Sequence, residues 1–215
     1  MNDVEHEAPE IAESPVQHIV RRALNLLLHP SETWEAIEAE PDSIEHLFKY
    51  WVMPLSAIPA IAQMFGRLSF GSFRIFGIRF YHPNFIWAVG DAIASYALTL
   101  ISVYLLALVI DQFAIQFGGE RSRTQAFKVA AYSGTAFWVA GIFELLPTAG
   151  GVFALIGALY SLYLLYLGLP KLMRSAPVFT LNYFFLTLLA AVIMAAVIGS
   201  LTHRAGEFSG PIWID

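Results

Sequence analysis

From about residue 47 onward the chain is written in long apolar runs broken by short polar or glycine-rich joints. The runs fall at about Leu47–Gly66, Phe85–Ile110, Ala126–Leu146, Gly151–Leu169 and Thr180–Leu201. Each is close to the ~20 residues a helix needs to cross a hydrocarbon core about 30 Å thick. The third and fourth are separated only by Pro147-Thr148-Ala149-Gly150, which predicts an antiparallel transmembrane hairpin. Small residues recur at every fourth position in that hairpin: Ala126, Ala130 and Gly134 in one arm, Gly150, Ala154 and Ala158 in the other. Ala191, Ala195 and Gly199 repeat the spacing in the last run. In lipid, where apolar burial no longer drives helices together, such rows permit the close backbone approach that does. The pattern predicts an all-α integral membrane protein with five transmembrane helices.

The residues before the first run follow other rules. Met1–Pro15 is polar and acidic, and is expected to be disordered. In Val16–His29 the apolar residues Val16, Ile19, Val20, Ala23, Leu24, Leu27 and Leu28 keep helical spacing, with Gln17, Arg21 and Arg22 off the stripe. This is an amphipathic helix too short to span. Pro30 stops it, and Ser31 is placed to cap a second helix with Glu32 and Glu35 in its first turn and Trp34 and Ile37 on its apolar side. Residues 16–46 are therefore read as an interfacial arm, either docking a partner or lying in the headgroup layer over the bundle. Pro54 and Pro59 bend the first span, as a hinge or as a fixed kink. Arg67–Asn84 holds Phe70, Phe73, Phe76, Phe80 and Tyr81 with Arg67, Arg74 and Arg79, which predicts an interfacial anchor, with a substrate gate as the alternative. Thr202–Asp215 is a short tail.

Composition agrees with the pattern and adds orientation. The chain of 215 residues is 57% hydrophobic and 13% charged, outside the range of ordinary soluble domains. Eleven of its 17 acids precede the first span, which disfavours nucleic acid as a partner. The absence of cysteine excludes disulfides and thiolate chemistry. No cleavable signal is visible. With the N-terminus inside, Arg21, Arg22, Lys49, Arg121, Arg123, Lys128, Lys171 and Arg174 lie inside, and Arg67, Arg74, Arg79 and Arg204 outside. That bias favours a cytoplasmic N-terminus and an external C-terminus.

Candidate chemistry is sparse. No nucleophile elbow, phosphate loop, paired-histidine helix or EF-hand string occurs, so neither an enzyme nor a cofactor or bound metal is expected. Charges at membrane depth are costly and usually paired or functional. Asp91 and Glu144 fall in the outer half, near His82 and His203 at the same boundary. These four residues could hold a cation or relay protons. Alternatively the acids pair with Arg67, Arg74 or Arg79 and the imidazoles sit at headgroup level. On the inner side gather Asp111, Lys128, Tyr132, Tyr163, Tyr166 and Lys171, with an Asp111–Lys128 ion pair expected across the intervening loop. Tyr160, Tyr163 and Tyr166 recur at threes and broadly share a face, as a polar path, a headgroup site or an aromatic belt.

The strings LVIDQFAIQFGGERSRTQAFKVAAYSGTAFWVAGIFELLPTAGG and LYSLYLLYLGLPKLM, with RRALNLLLHPSETWEAI upstream and Asn182-Tyr183 downstream, resemble the bacterial branch of the Yip (Ypt/Rab-interacting protein) membrane family. The resemblance covers about Ile19–Tyr183. It implies a five-span fold with a cytosolic N-terminus, and in eukaryotic members a tie to Rab GTPases and early secretory traffic. Their cytosolic Asp-Leu-Tyr-Gly-Pro segment has no counterpart here. The family-like residues concentrate on the inner side, at Asp111, Phe117, Gly118, Gly119, Tyr132, Tyr160, Gly168 and Pro170. These, with Lys128, Tyr163 and Tyr166, are the candidate surface for a partner or lipid. Two functions remain open. One is a non-enzymatic scaffold, assembly factor or accessory subunit in the bacterial inner membrane, its C-terminus periplasmic, bound to membrane lipids and to a membrane-protein partner or a second copy. The other is a small transporter or ion-conducting protein using Asp91, Glu144 and the tyrosines.

Overall fold

The structure, a computed structural model, describes residues 14–70, 84–146 and 149–207, with side chains in the last segment as far as 201. The acidic tail up to residue 13, residues 71–83 with His82, Arg74 and Arg79, Pro147 and Thr148 of the expected hairpin turn, and residues 208–215 lie outside the described residues, as does the side chain of His203.

Helix α1 (Pro15–Leu28) starts with a capping box: Ser14 Oγ accepts from the Gln17 backbone while the Gln17 side chain accepts from Ser14 N–H. Helix α2 (Pro30–Ala39) corrects the expected cap. Pro30 takes the first helical position, where its missing N–H costs nothing. His29 thus becomes the cap residue and Ser31 lies inside the helix. Helix α3 (Ile44–Leu47), capped by Ser43, runs through a π-helical turn at Phe48–Val52 into α4 (Met53–Phe70). There Met53 N–H reaches back to Phe48 O, and the wide turn precedes Pro54, which has no N–H to give the carbonyls behind it. Arg67–Phe70 belong to this helix and not to a loop. Helix α5 (Phe85–Phe113) is capped by Asn84 and leads through a 3₁₀ turn at Ile115–Phe117 to α6 (Arg123–Ser133). After α7 (Thr135–Ala140) and a 3₁₀ stretch at Gly141–Leu145 come α8 (Gly150–Met173) and, past a 3₁₀ turn at Pro177–Phe179, α9 (Thr180–Glu207).

Among the described residues four segments are long and apolar enough to cross a membrane: Phe85–Phe113, Arg123–Leu145, Gly150–Met173 and Pro177–Leu201. This is an α-helical membrane protein. The first expected span, Leu47–Gly66, is helical throughout but stands apart from that set, its apolar content diluted by Ser56, Gln63 and two prolines.

The helices close into a ring in which α4 packs on α5, α5 on α9, α9 on α8, and α8 on α7 with its 3₁₀ extension, which returns to α4. Helix α6 packs between α5 and α8, and α2 rests on α8. Arg123–Leu145 is the central element: 67% of its apolar stretch is buried, against 17%, 28% and 6% in the other three. It is not one continuous helix, as the sequence pattern predicts, but breaks at Gly134. The Phe137 amide is met there by Ser161 Oγ of α8 at 3.0 Å. The closest approach of the hairpin is carried by Gly157, outside the expected Gly150–Ala154–Ala158 row. A Cβ on Gly157 would fall 2.5 Å from Ala140 Cβ and 2.9 Å from Ala136 O. Of that row Gly150 is buried, against the Glu144 backbone, while Ala154 and Ala158 are half-buried. The row on α9 is also reassigned: Ala191, Ala195 and Gly199 line a cavity.

Candidate functional site

The inner candidate residues converge on the protein's own arm. Trp34 of α2 is fully buried, with the edge of its ring toward Tyr132 at 6.2 Å, and Tyr132 in turn packs on Trp51 at 4.7 Å. Trp51 Nε1–H donates to Thr135 Oγ1 at 3.2 Å, so the aromatic cluster is tied to the break beside Gly134. Gly168 forms the wall behind Trp34, where a Cβ would lie 2.7 Å from an indole carbon. Tyr160 Oη–H donates to Leu27 O at 2.7 Å, at the end of α1. Lys171 Nζ donates to Ser31 O at 2.8 Å and to Glu35 Oε1 at 2.7 Å. Helix α8 thus holds both arm helices.

Lys128 contributes from the other side, and its partner is not the expected one. Its ammonium, with the residue only 2% exposed, donates to Ile37 O at 2.7 Å and Glu40 O at 2.5 Å. The last carbonyls of α2 have no intrahelical donors and carry the negative end of the helix dipole, which is what a buried cation seeks. Gln125 adds a bond to Glu38 O at 3.3 Å. Asp111 pairs instead with Arg121 at 3.1 Å, because the loop after α5 folds Arg121 back over it. Asp111 is 4% exposed, and its Oδ1 has no hydrogen-bond partner.

The glycine string joins two loops. Gly118 ends the 3₁₀ turn at φ 71°, a left-handed conformation suited to glycine. Gly119 packs directly against the Met173 carbonyl. Glu120 N–H donates to Met173 O at 2.9 Å, and Ala176 N–H to Phe117 O at 3.2 Å. Phe117 stacks on Tyr183 at 4.9 Å, and the Tyr183 hydroxyl donates to Ile110 O. Pro170 lies in the last turns of α8. The three tyrosines of α8 do not share a role. Tyr160 turns to α1, Tyr163 and Tyr166 are exposed, and Tyr166 meets Phe184 edge-on at 5.5 Å. At threes a helix drifts about 60° per step, so Tyr163 still lies against Tyr160 at 5.5 Å while Tyr166 is carried round to α9.

At the opposite end, Asp91 pairs with Arg67, whose guanidinium lies over Trp87 at 5.5 Å. Glu144 accepts from Gln63 Nε2 at 2.9 Å. These groups mark one end of a cavity of about 590 Å³ inside the helix ring. Among the described residues no three His, Cys, Asp or Glu are grouped to hold a metal ion. Reading by pattern missed Gly157, Gln63 and Ser161. No periodicity marks them, since each acts through one contact with a distant helix.

An apolar helix ring, a broken central helix and an amphipathic arm clasped by α6 and α8 define a polytopic α-helical membrane protein with no visible catalytic constellation among the described residues. The chain belongs to the Yip1 domain family, whose model matches residues 24–201. The inner membrane protein YohC of Escherichia coli K12 is 27% identical over 186 residues, which cover 82% of this chain and 91% of that protein. Its counterpart in Escherichia coli O6:H1 matches with the same identity and coverage. No solved structure matches.

Proposed function

We propose that this protein is a non-enzymatic scaffold or accessory subunit of the bacterial inner membrane, presenting its arm to a membrane-bound partner. The observation that carries the reading is the face α1 leaves open. Its buried side is Ala23 and Leu26 with Ile19, while Val16, Val20, Leu24 and Leu28 stay exposed along the neighbouring face. The arm is held rigidly by Lys128, Tyr160 and Lys171, so this second apolar row is presented in a fixed direction beside Arg21. The membrane location follows the apolar helices and agrees with the relatives being inner membrane proteins.

Helices α3 and α4 supply a first crossing, for five in all. Ile44–Phe70 is about 40 Å long at 1.5 Å per residue. Its start packs on α6 at the inner end, while Gly66 presses on the Glu144 backbone and Arg67 on Asp91 at the other. With the arm cytoplasmic, the C-terminus is periplasmic, in line with the charge bias. An ion-conducting path has less support, because the hydroxyls of Ser95, Thr99 and Ser102 donate back into their own helix.

In-cell crosslinking from Val20 or Leu24, followed by mass spectrometry of what copurifies, tests the reading. A stoichiometric membrane protein, or a second copy, attached through α1 and lost on Val20→Asp/Leu24→Asp is expected. Crosslinks to lipid alone, unchanged by the substitutions, would refute it.

A further inference from the structure

The helix ring surrounds a cavity that the scaffold reading does not use. Along α5 it extends from Asp91 to Leu106, about 22 Å of helix, two thirds of a hydrocarbon core. Its volume of about 590 Å³ is that of a small-molecule site, and its length makes it a slot for a chain. A second long wall, on the neighbouring α9, is the small-residue row Ala191, Ala195 and Gly199. The side walls are largely aliphatic or carry hydroxyls satisfied within their own helix.

The two ends are polar and unlike. At the outer end one cation, Arg67, faces two carboxylates, Asp91 and Glu144. Asp91 takes the direct contact with the guanidinium, while Glu144 accepts a hydrogen bond from the neutral Gln63 amide and feels Arg67 only through space. That end therefore has an unmatched carboxylate in a setting where isolated charges are costly. At the inner end lies Ser133, whose hydroxyl is buried and has no hydrogen-bond partner.

We propose that the cavity binds an elongated organic cation, an aliphatic chain with an ammonium head. The head pairs with the Glu144 carboxylate and the chain lies along Ala191 and Ala195 toward Ser133. Charge selects the head: an anion would meet the surplus carboxylate. Length selects the chain: a compact cation would leave most of the slot unfilled.

The test uses the full chain in phosphatidylcholine nanodiscs with dodecyltrimethylammonium and dodecyl sulfate, each carrying a photoreactive diazirine in the chain. The cationic probe should label Leu162, Ala191 or Ala195 saturably and be displaced by unlabelled dodecyltrimethylammonium. Neither dodecyl sulfate nor tetramethylammonium should displace it. Glu144→Gln should weaken this labelling about tenfold or more, the scale of a lost charge-assisted contact. Ala195→Phe, which narrows the slot and leaves Glu144 in place, should abolish it while thermal unfolding confirms a folded protein. Equal labelling by both probes, or labelling confined to the outward Ile193 and Val197 as in simple bilayer partitioning, would overturn the proposal. So would unchanged labelling in folded Glu144→Gln and Ala195→Phe.

Discussion

Replacing Gly168 by alanine should release the arm. The added Cβ would lie 2.7, 2.8 and 2.9 Å from three carbons of the Trp34 indole, closer than real Cβ contacts allow. Trp34 has little freedom to yield, since its ring edge is against Tyr132 and the residue is fully buried. Overpacking of this kind costs about 1–3 kcal/mol. If the cost falls on the docking of α2 to α8, the undocked population rises about 5- to 150-fold. The chain has no cysteine, so a single introduced thiol reports without background. Ala23→Cys places one on the buried side of α1, and maleimide labelling in intact membranes reads its opening rate. The wild-type background should protect this thiol, and Gly168→Ala should expose it by a factor in that range. Gly151→Ala is the control, because a Cβ there meets nothing within 4 Å. If Gly168→Ala leaves both labelling and thermal stability at the control level, the clasp around Trp34 is wrong.

Further outcomes follow from other contacts. Tyr160→Phe removes the bond to Leu27 O, about 0.5–1.5 kcal/mol, and should raise labelling at the same thiol a few-fold with little change in melting temperature. Lys128→Met strips the Ile37 and Glu40 carbonyls of their donor, at about 1.5–3 kcal/mol for a charged bond. Limited proteolysis should then cut between α2 and α3 sooner. Arg67→Ala leaves the Asp91 carboxylate unpaired, a loss of about 3–5 kcal/mol, and adding Asp91→Asn should recover much of the lost thermal stability. Gly157→Leu should lower the melting temperature far more than Ala154→Leu, since Gly157 is buried against Ala136, Phe137 and Ala140 while Ala154 is only half-buried.

The helices and their order were legible in the chain, because runs of apolar residues in lipid report length and little else. Trp34 and Ile37 were placed on the apolar side of α2, and both are fully buried. The arm's periodicity was visible too. Its stripe, however, merged two faces that tertiary contact separates, one on the bundle and one open, and it passed over the buried Leu26. Lys128 illustrates why the site was harder. Chain proximity pointed to Asp111, while the ammonium found the end of a helix roughly ninety residues upstream. Small-residue rows gave the same ambiguity in another form. A four-residue repeat cannot say whether its groove meets a helix, as part of the hairpin does, or opens on a void, as in α9.

The broken central segment also bears on how the protein holds together. Arg123–Leu145 carries Lys128, Ser133 and Thr135 on its buried surface, and satisfies its interrupted backbone with a side chain from α8. Alone in the bilayer it would present an ammonium and free amides to hydrocarbon. Its stability in lipid therefore depends on α8, which supplies Ser161 Oγ, and on the arm, which supplies the carbonyls that receive Lys128. In this fold an amphipathic segment from outside the apolar spans supplies the partners of a buried charge within one of them.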